Sequence, residues 1–222
     1  MKKGLVVVGI LSFLLAGCST TGSSAKETDP EVQEISVSLP AELTTLDTTQ
    51  TTDKVTFTVI QHLFEGSYRF DEKSQPVPGL AEEAVISEDG KTYTFKLKEE
   101  AKWSDGQQVQ AADFAYAWKK LVDPKTMGPN AYLLDNVVNS QDIREGKADI
   151  VTIGLETPDE KTFVVHLEQL QPSFLSVVSI GWLAPQRQSY VEEKGTAYGK
   201  TSEDLLYTGP FILKDWQQTG AE

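Results

Sequence analysis

The sequence predicts a mixed α/β protein in which strands and helices come in clusters along the chain. Two segments, 91–97 and 161–167, follow turns and alternate apolar with polar residues, as strands with one buried face do. Between them, the apolar residues of 110–122 recur at helical spacing, which predicts an amphipathic helix ended by Asp-Pro at 123–124. This order of elements indicates an α+β or α/β architecture.

The elements before this region are also patterned. Apolar residues at alternate positions of 35–39 predict a strand, which Pro40 ends. A threonine-rich loop at 44–52 leads to a helix near 53–64, whose apolar residues recur at helical spacing. Asp53 suits the N-cap of this helix because its carboxylate can accept hydrogen bonds from the first main-chain N–H groups.

The two alternating segments are each predicted to be the second arm of an antiparallel hairpin. The first arms would be 84–87 and 152–156, with turns at Asp89-Gly90 and Pro158-Asp159. Both hairpins fit one sheet with one buried face. The remaining predicted elements are three short helices and one strand: 140–145, 172–178, 187–194 and 209–213.

The composition limits the partners and stabilising groups of the chain. Its 222 residues include 20 Lys and Arg against 33 Asp and Glu, a formal net charge of −13. Such an acidic chain repels phosphate backbones, so we expect no nucleic-acid partner. A single cysteine excludes an internal disulfide, and with only two histidines it excludes a Cys/His zinc site.

The first residues have the layout of an export signal. A basic start precedes an apolar run at 5–15, and Leu-Ala-Gly stands directly before Cys18. This ending resembles the lipobox of bacterial lipoproteins, which implies cleavage of a signal peptide, 1–17, and a diacylglyceryl thioether on Cys18. Two acyl chains on one residue give a stable membrane anchor. The alternative is an ordinary cleaved signal that leaves a free cysteine.

Residues 18–31 are predicted to be a flexible tether between the membrane and the folded domain. After Cys18 the segment is rich in Ser, Thr, Gly, Lys and Glu and has no large apolar residue. It therefore cannot bury enough surface to fold by itself.

Catalytic motifs are absent from the sequence. It contains no G-x-S-x-G, P-loop, G-x-G-x-x-G or H-E-x-x-H. His62 and His166 lie far apart, without a neighbouring nucleophile, so structural roles are expected for both. Trp103 precedes a Ser-Asp-Gly turn and is predicted to be a core residue with a locally bonded N–H, ligand stacking being the alternative. We expect no enzymatic activity and no cofactor.

Several short motifs are too specific to be generic. AKWSDG at 101–106, ADFAYAW at 112–118 and Asp-Pro at 123–124 stand in order along the chain. Four further motifs accompany them: TLD at 45–47, LFEG at 63–66, PGLA at 78–81 and TGPFILKDW at 208–216. Together they resemble the oligopeptide-binding family, family 5, of ABC-importer solute-binding proteins, over about 35–218.

This resemblance implies a two-lobed, periplasmic-binding-protein-like clamshell that closes on an extended peptide. Residues 66–185 would be the small accessory domain of the family, complete in this chain. Residues 32–65 and 186–222 would be an incomplete first lobe, with the second lobe absent, since family members usually run to more than twice this length. A truncated receptor of this kind is expected to bind peptide weakly.

The resemblance also implies where peptide binds. The family pairs main-chain groups with the peptide by strand addition. By position, the first-lobe contribution comes from four residues: Thr51, Thr52, Asp53 and Lys54. The alternative for this segment is a plain loop and helix N-cap. A second contact maps to Asn130, where the family often has an aromatic residue.

The implied function is a lipid-anchored, monomeric substrate-binding component of an oligopeptide ABC transporter. It would capture peptides at the extracytoplasmic face of the cell membrane and deliver them to the permease subunits. The alternative is a surface lipoprotein or interaction module without a transport role, or a truncated product without function.

Overall fold

The computed structural model describes residues 33–216. The predicted signal peptide at 1–17, the tether at 18–31 and the lipidation site at Cys18 lie outside the described residues. Among the described residues, 33–38 and 39–216 belong to two separate units. Within the described part, no helix is long and apolar enough to cross a membrane.

The strand predicted at 35–39 is not formed, so this prediction was wrong. Ile35 and Val37 are 66% and 70% exposed, and no strand of the described residues pairs with this segment. An alternating pattern becomes a strand only when a neighbouring strand satisfies its main chain and a core covers its apolar face.

The first helix, α1 (Lys54–Leu63), begins where the sequence predicts. The side chain of Asp53 accepts a hydrogen bond from the N–H of Thr56 at 2.8 Å and so caps the helix. The helix ends where Phe64 turns to an extended backbone, and Ile60 lies on its buried face.

Both predicted hairpins are present, and they form one four-stranded antiparallel sheet in the order β3-β4-β6-β5. Its strands are β3 (Ala81–Ile86), β4 (Thr92–Leu97), β5 (Leu155–Asp159) and β6 (Thr162–His166). A separate short ribbon joins β1 (Tyr68–Phe70) and β2 (Pro76–Pro78). The common sheet expected from the alternating patterns is therefore confirmed.

The turn of the second hairpin lies later than predicted. Pro158 and Asp159 belong to β5, whereas Thr152, the first residue of the predicted arm, ends a 3-10 helix, Ile150–Thr152. The side chain of Asp159 accepts the N–H of Lys161 at 2.8 Å, which closes the turn. Pro158 is tolerated because β5 is an edge strand. One side of such a strand has no neighbouring strand, so a residue that lacks an N–H loses no hydrogen bond there.

The predicted helices are present, with ends that differ by one or two residues. The longest, α2 (Ala111–Val122), gives way to an extended backbone at Asp123, before Pro124. The others are α3 (Ser140–Arg144), α4 (Phe174–Val178) and α5 (Gln188–Lys194).

The strand predicted at 209–213 is not formed. Instead, the N–H of Gly209 donates to the main-chain oxygen of Leu63 at 2.9 Å, and the N–H of Phe211 donates to that of His62 at 3.3 Å. The segment therefore donates hydrogen bonds to carbonyl groups in the last turn of α1, for which the helix itself offers no N–H donor.

The buried apolar residues form two clusters. In the larger one, α2 packs on the inner face of the sheet, and the rings of Trp118 and Phe163 meet edge to face at 5.0 Å. The smaller cluster contains Leu46, Ile60 and Tyr198. Residues 39–222 are nevertheless one compact unit, and domain boundaries at 65/66 and 185/186 stay a prediction.

Candidate functional site

Three of the residues that the sequence predicts for the site are exposed: Thr52 and Asp53 in the loop before α1, and Lys54 at the first position of the helix. Thr51, by contrast, is only 2% exposed. Among residues 33–216, Thr52 makes no hydrogen bond through its main chain or its side chain. Its exposed N–H and C=O groups are therefore available to an extended ligand.

Asn130 lies directly against this loop, although 79 positions separate it from Thr51. Its Nδ2 donates a hydrogen bond to the main-chain oxygen of Thr51 at 2.6 Å. Asn130 is 3% exposed, so its side chain fixes the loop and does not face a ligand in solution. The structure thus brings the two predicted segments of the site together.

Asp53 serves the helix directly, as the N-cap alternative predicts. Partial burial raises the pKa of its carboxyl, but hydrogen bonds from main-chain N–H groups, that of Thr56 among them, outweigh burial. The net pKa therefore lies below the ordinary value, and Asp53 is charged at neutral pH. Its negative charge also complements the positive end of the α1 dipole.

A buried polar network, which the sequence did not indicate, holds the start of the same loop. Oδ2 of Asp47 pairs with Nζ of Lys120 at 2.8 Å. Oδ1 of Asp47 accepts the Thr49 hydroxyl at 2.8 Å and Nε2 of Gln186 at 2.9 Å. Lys120 also reaches Oε1 of Gln186 at 3.0 Å. The network ties the loop to α2 and to the segment before α5.

The loop is packed from a further side by Gly199. The N–H of Leu46 donates to the oxygen of Gly199 at 2.7 Å. Gly199 has φ +78°, and a Cβ there would lie 2.5 Å from the nitrogen of Asp47. Only glycine fits this close approach. The only sequence sign of this arrangement was Asp47 in the TLD motif, which carries no information about its distant partners.

The other residues singled out by the sequence have structural roles. Trp103 is buried, and its Nε1 donates to Oδ2 of Asp113 at 3.1 Å, so the prediction of a core tryptophan is confirmed. Nδ1 of His62 lies 2.7 Å from the Thr58 oxygen. Nε2 of His166 lies 2.9 Å from Glu156. In the described part of the chain, no group of His, Cys, Asp and Glu could hold a metal ion.

Two clefts lie elsewhere on the surface. One of about 740 Å³ separates the N-terminal ends of α2 and α5 and is lined by Gln110 and Arg187, among others. One of about 690 Å³ lies between the end of α1 and 208–210. Neither of these two clefts is lined by the candidate residues.

Residues 75–221 match the family described as bacterial extracellular solute-binding proteins, family 5 Middle. The chain belongs to this family. The matched range of this family 5 chain includes Asn130 and begins after 51–54. The family predicted from the motifs is confirmed.

Two proteins similar to this family 5 chain are named for dipeptide or oligopeptide substrates. The dipeptide-binding protein of Lactococcus lactis subsp. cremoris (strain MG1363) is 36% identical over 208 residues, which are 94% of this chain and 36% of that protein. The substrate-binding domain of an oligopeptide ABC transporter from Bacillus anthracis str. Ames superposes with a TM-score of 0.78 at 40% identity, covering 79% of this chain and 34% of that one.

A second solved relative, Listeria monocytogenes OppA bound to peptide, superposes with a TM-score of 0.77 at 37% identity. The match covers 79% of this chain and 35% of the Listeria chain. This family 5 chain therefore spans about a third of the length of these relatives. The mixed α/β, periplasmic-binding-protein-like fold is confirmed for the part that the chain covers.

Proposed function

We propose that this chain is the peptide-capturing part of a receptor that delivers oligopeptides to the permease of an ABC importer, and that it is not an enzyme. Its family membership supports a solute-binding role. The observation that carries the proposal is the exposed Thr52, which has no hydrogen bond among the described residues, on a loop held by buried groups at both sides.

Peptide binding proceeds by strand addition along 52–54. The N–H and C=O groups of Thr52 pair with the peptide main chain, which gives affinity without selecting side chains. The main-chain oxygen of Thr51 already accepts a hydrogen bond from Asn130, so it is not offered to the peptide. The exposed ammonium of Lys54, at the positive end of α1, suits a terminal carboxylate of the ligand.

Residues 1–222 by themselves bind peptide weakly in this proposal. The exposed segment 52–54 pairs with one edge of an extended ligand. Each main-chain hydrogen bond that the other edge of the ligand fails to make costs about 0.5–1.5 kcal/mol of binding free energy. Since about 1.4 kcal/mol is tenfold in affinity, losing two or three such bonds moves a micromolar ligand toward millimolar affinity.

The location follows from the segment outside the described residues. We propose cleavage after 1–17, lipidation of Cys18 and a tether at 18–31, which hold a monomer at the extracytoplasmic face of the membrane. Residues 66–185 form the accessory domain, and 32–65 with 186–222 belong to the first lobe. Mass measurement of the membrane-extracted protein and loss of membrane association in Cys18→Ser test the anchor.

Nitrogen-15 NMR of the whole chain, titrated with a pentapeptide into the millimolar range, tests peptide capture. We expect saturable shifts of the amide signals of 52–55. The matched control is the same amino acids added as free monomers, which carry the side chains without a continuous main chain and give no saturable shift at these residues.

Two results would overturn the proposal in different ways. Saturable shifts confined to the cleft beside Arg187, or to the cleft at 208–210, would show that peptide binds but not at 52–54. A chain that shows no response would contradict peptide capture and favour the interaction module.

A further inference from the structure

Met127 combines two unusual features. Its side chain is 81% exposed. Its backbone has φ +49°, in the left-handed region that L residues other than Asn and Asp seldom adopt. Such a conformation persists only when the surrounding structure determines it, and functional sites are where it concentrates.

The surroundings of Met127 do determine its position. On one side, Nε2 of Gln50 donates to the main-chain oxygen of Thr126 at 3.2 Å. On the other, Asn130 donates to the oxygen of Thr51 at 2.6 Å. Met127 therefore lies between two hydrogen bonds that attach its loop to the residues just before the exposed Thr52.

The same loop is closely packed on α2. A Cβ at Gly128 would lie 2.4 Å from the main-chain oxygen of Leu121. The N–H of Met127 donates to the oxygen of Asp123 at 3.3 Å. The backbone after the helix is thus held in place, and the exposed Met127 side chain extends from a loop that hydrogen bonds attach to Gln50 and Thr51.

We propose that Met127 is a specificity-determining contact of this site, packing against an apolar side chain of the bound peptide. The inference rests on the proposed function and deepens it. Main-chain pairing alone does not distinguish side chains. A flexible, polarisable thioether adds a preference for apolar groups while accepting many shapes.

The side chains of an extended peptide alternate between its two faces. Met127 therefore acts on one peptide position rather than on all of them. A single leucine moved along a pentapeptide of alanines should bind more tightly at that position, by about fourfold for each methylene that leaves water.

The sequence makes a selective probe available. Met1 and Met127 are the two methionines of the chain, so carbon-13 labelling of methionine methyl groups gives at most two signals, and Met127→Leu assigns them. We expect the Met127 methyl signal to shift with the same dissociation constant as the Thr52 amide. We expect Met127→Gln, of similar length but polar, to lose the leucine preference and keep binding to the all-alanine peptide.

Met127→Gly is the second variant, because glycine suits the left-handed backbone and removes the side chain without strain. It too should lose the preference. If the Thr52 amide saturates while the Met127 methyl signal stays in place, or if both variants keep the preference, the inference is overturned and peptide capture stands. If neither signal responds to any peptide, peptide capture fails and the inference fails with it.

Discussion

At the scale of single residues, two buried polar groups set the shape of the proposed binding edge. The amide of Asn130 holds the oxygen of Thr51, and the carboxylate of Asp47 gathers donors from α2 and from Gln186. Buried polar groups of this kind are costly when a partner is lost. Substitutions at either group should therefore affect stability more than their small change in size suggests.

Asn130→Asp should lower the free energy of unfolding by about 1–3 kcal/mol. The substitution places a carboxylate oxygen where an amide now donates to Thr51 at 2.6 Å. Urea denaturation measures the change. Gln50→Ala is the control, since its bond to the same loop is exposed and 3.2 Å long. Equal effects of the two variants would show that Asn130 does not hold the loop.

Lys120→Met should destabilise the fold by about 3 kcal/mol, because it leaves the mostly buried carboxylate of Asp47 without its cation. Thermal and urea unfolding measure the loss. Lys147→Met is the matched control, since Lys147 pairs with Glu145 on the exposed surface and its loss should have no measurable effect. A stable Lys120→Met would refute the importance of the network.

The sequence indicated these residues only in part. Asp47 stood out because it falls in the TLD motif, and Asn130 because the family resemblance maps a peptide contact there. Their partners, however, lie 73 and 79 positions away in the chain. Local patterns report which face of an element is apolar, and they contain no information about which distant carbonyl a buried amide meets. The contact between Thr51 and Asn130 could therefore be identified only from the three-dimensional structure.

At the scale of elements, the start of α1 contributes to the stability of the fold and is also part of the proposed site. Asp53 caps the helix, and its carboxyl has a lowered pKa in the folded chain. A carboxyl of this kind stabilises the fold while it is ionised, above its unfolded pKa of about 3.9. That stabilisation disappears as the pH falls through the folded-state pKa.

Asp53→Ala should cost about 1 kcal/mol of unfolding free energy at neutral pH, the usual value of an N-cap. The difference from the unsubstituted chain should shrink as the pH falls through the lowered pKa of the folded state, below which the carboxyl is protonated in both states. Urea denaturation at several pH values measures this. Asp53→Ser keeps a capping oxygen and should recover most of the loss; a pH-independent difference would contradict the charge contribution.

The elements show where sequence patterns suffice. Helix α2 and strand β4 were predicted because each carries its full pattern locally and packs that face on the core. The strands at 35–39 and 209–213 were wrong because alternation records what a strand would bury, and no described strand pairs with either segment. The second hairpin turn was misplaced because Pro158, usually a turn residue, sits in an edge strand.

At the scale of the whole molecule, the proposed ligand site is the exposed segment 52–54. The motifs were sufficient to predict the family and the mixed α/β fold, because they combine many positions over most of the chain. The assignment of peptide binding to 52–54, on a loop that Asn130 fixes through Thr51, is the central proposal, and it predicts recognition of a single edge of the peptide main chain.

Two pentapeptides of the same sequence, N-methylated on opposite sets of alternate residues, test this most directly. Each loses the N–H donors along one edge and keeps those along the other. In NMR titrations with the whole chain, we expect one isomer to bind like the unmodified peptide and the other to bind roughly tenfold more weakly, as the loss of one or two hydrogen bonds requires. If both isomers bind as well as the unmodified peptide, recognition does not depend on main-chain pairing and the proposed edge is wrong.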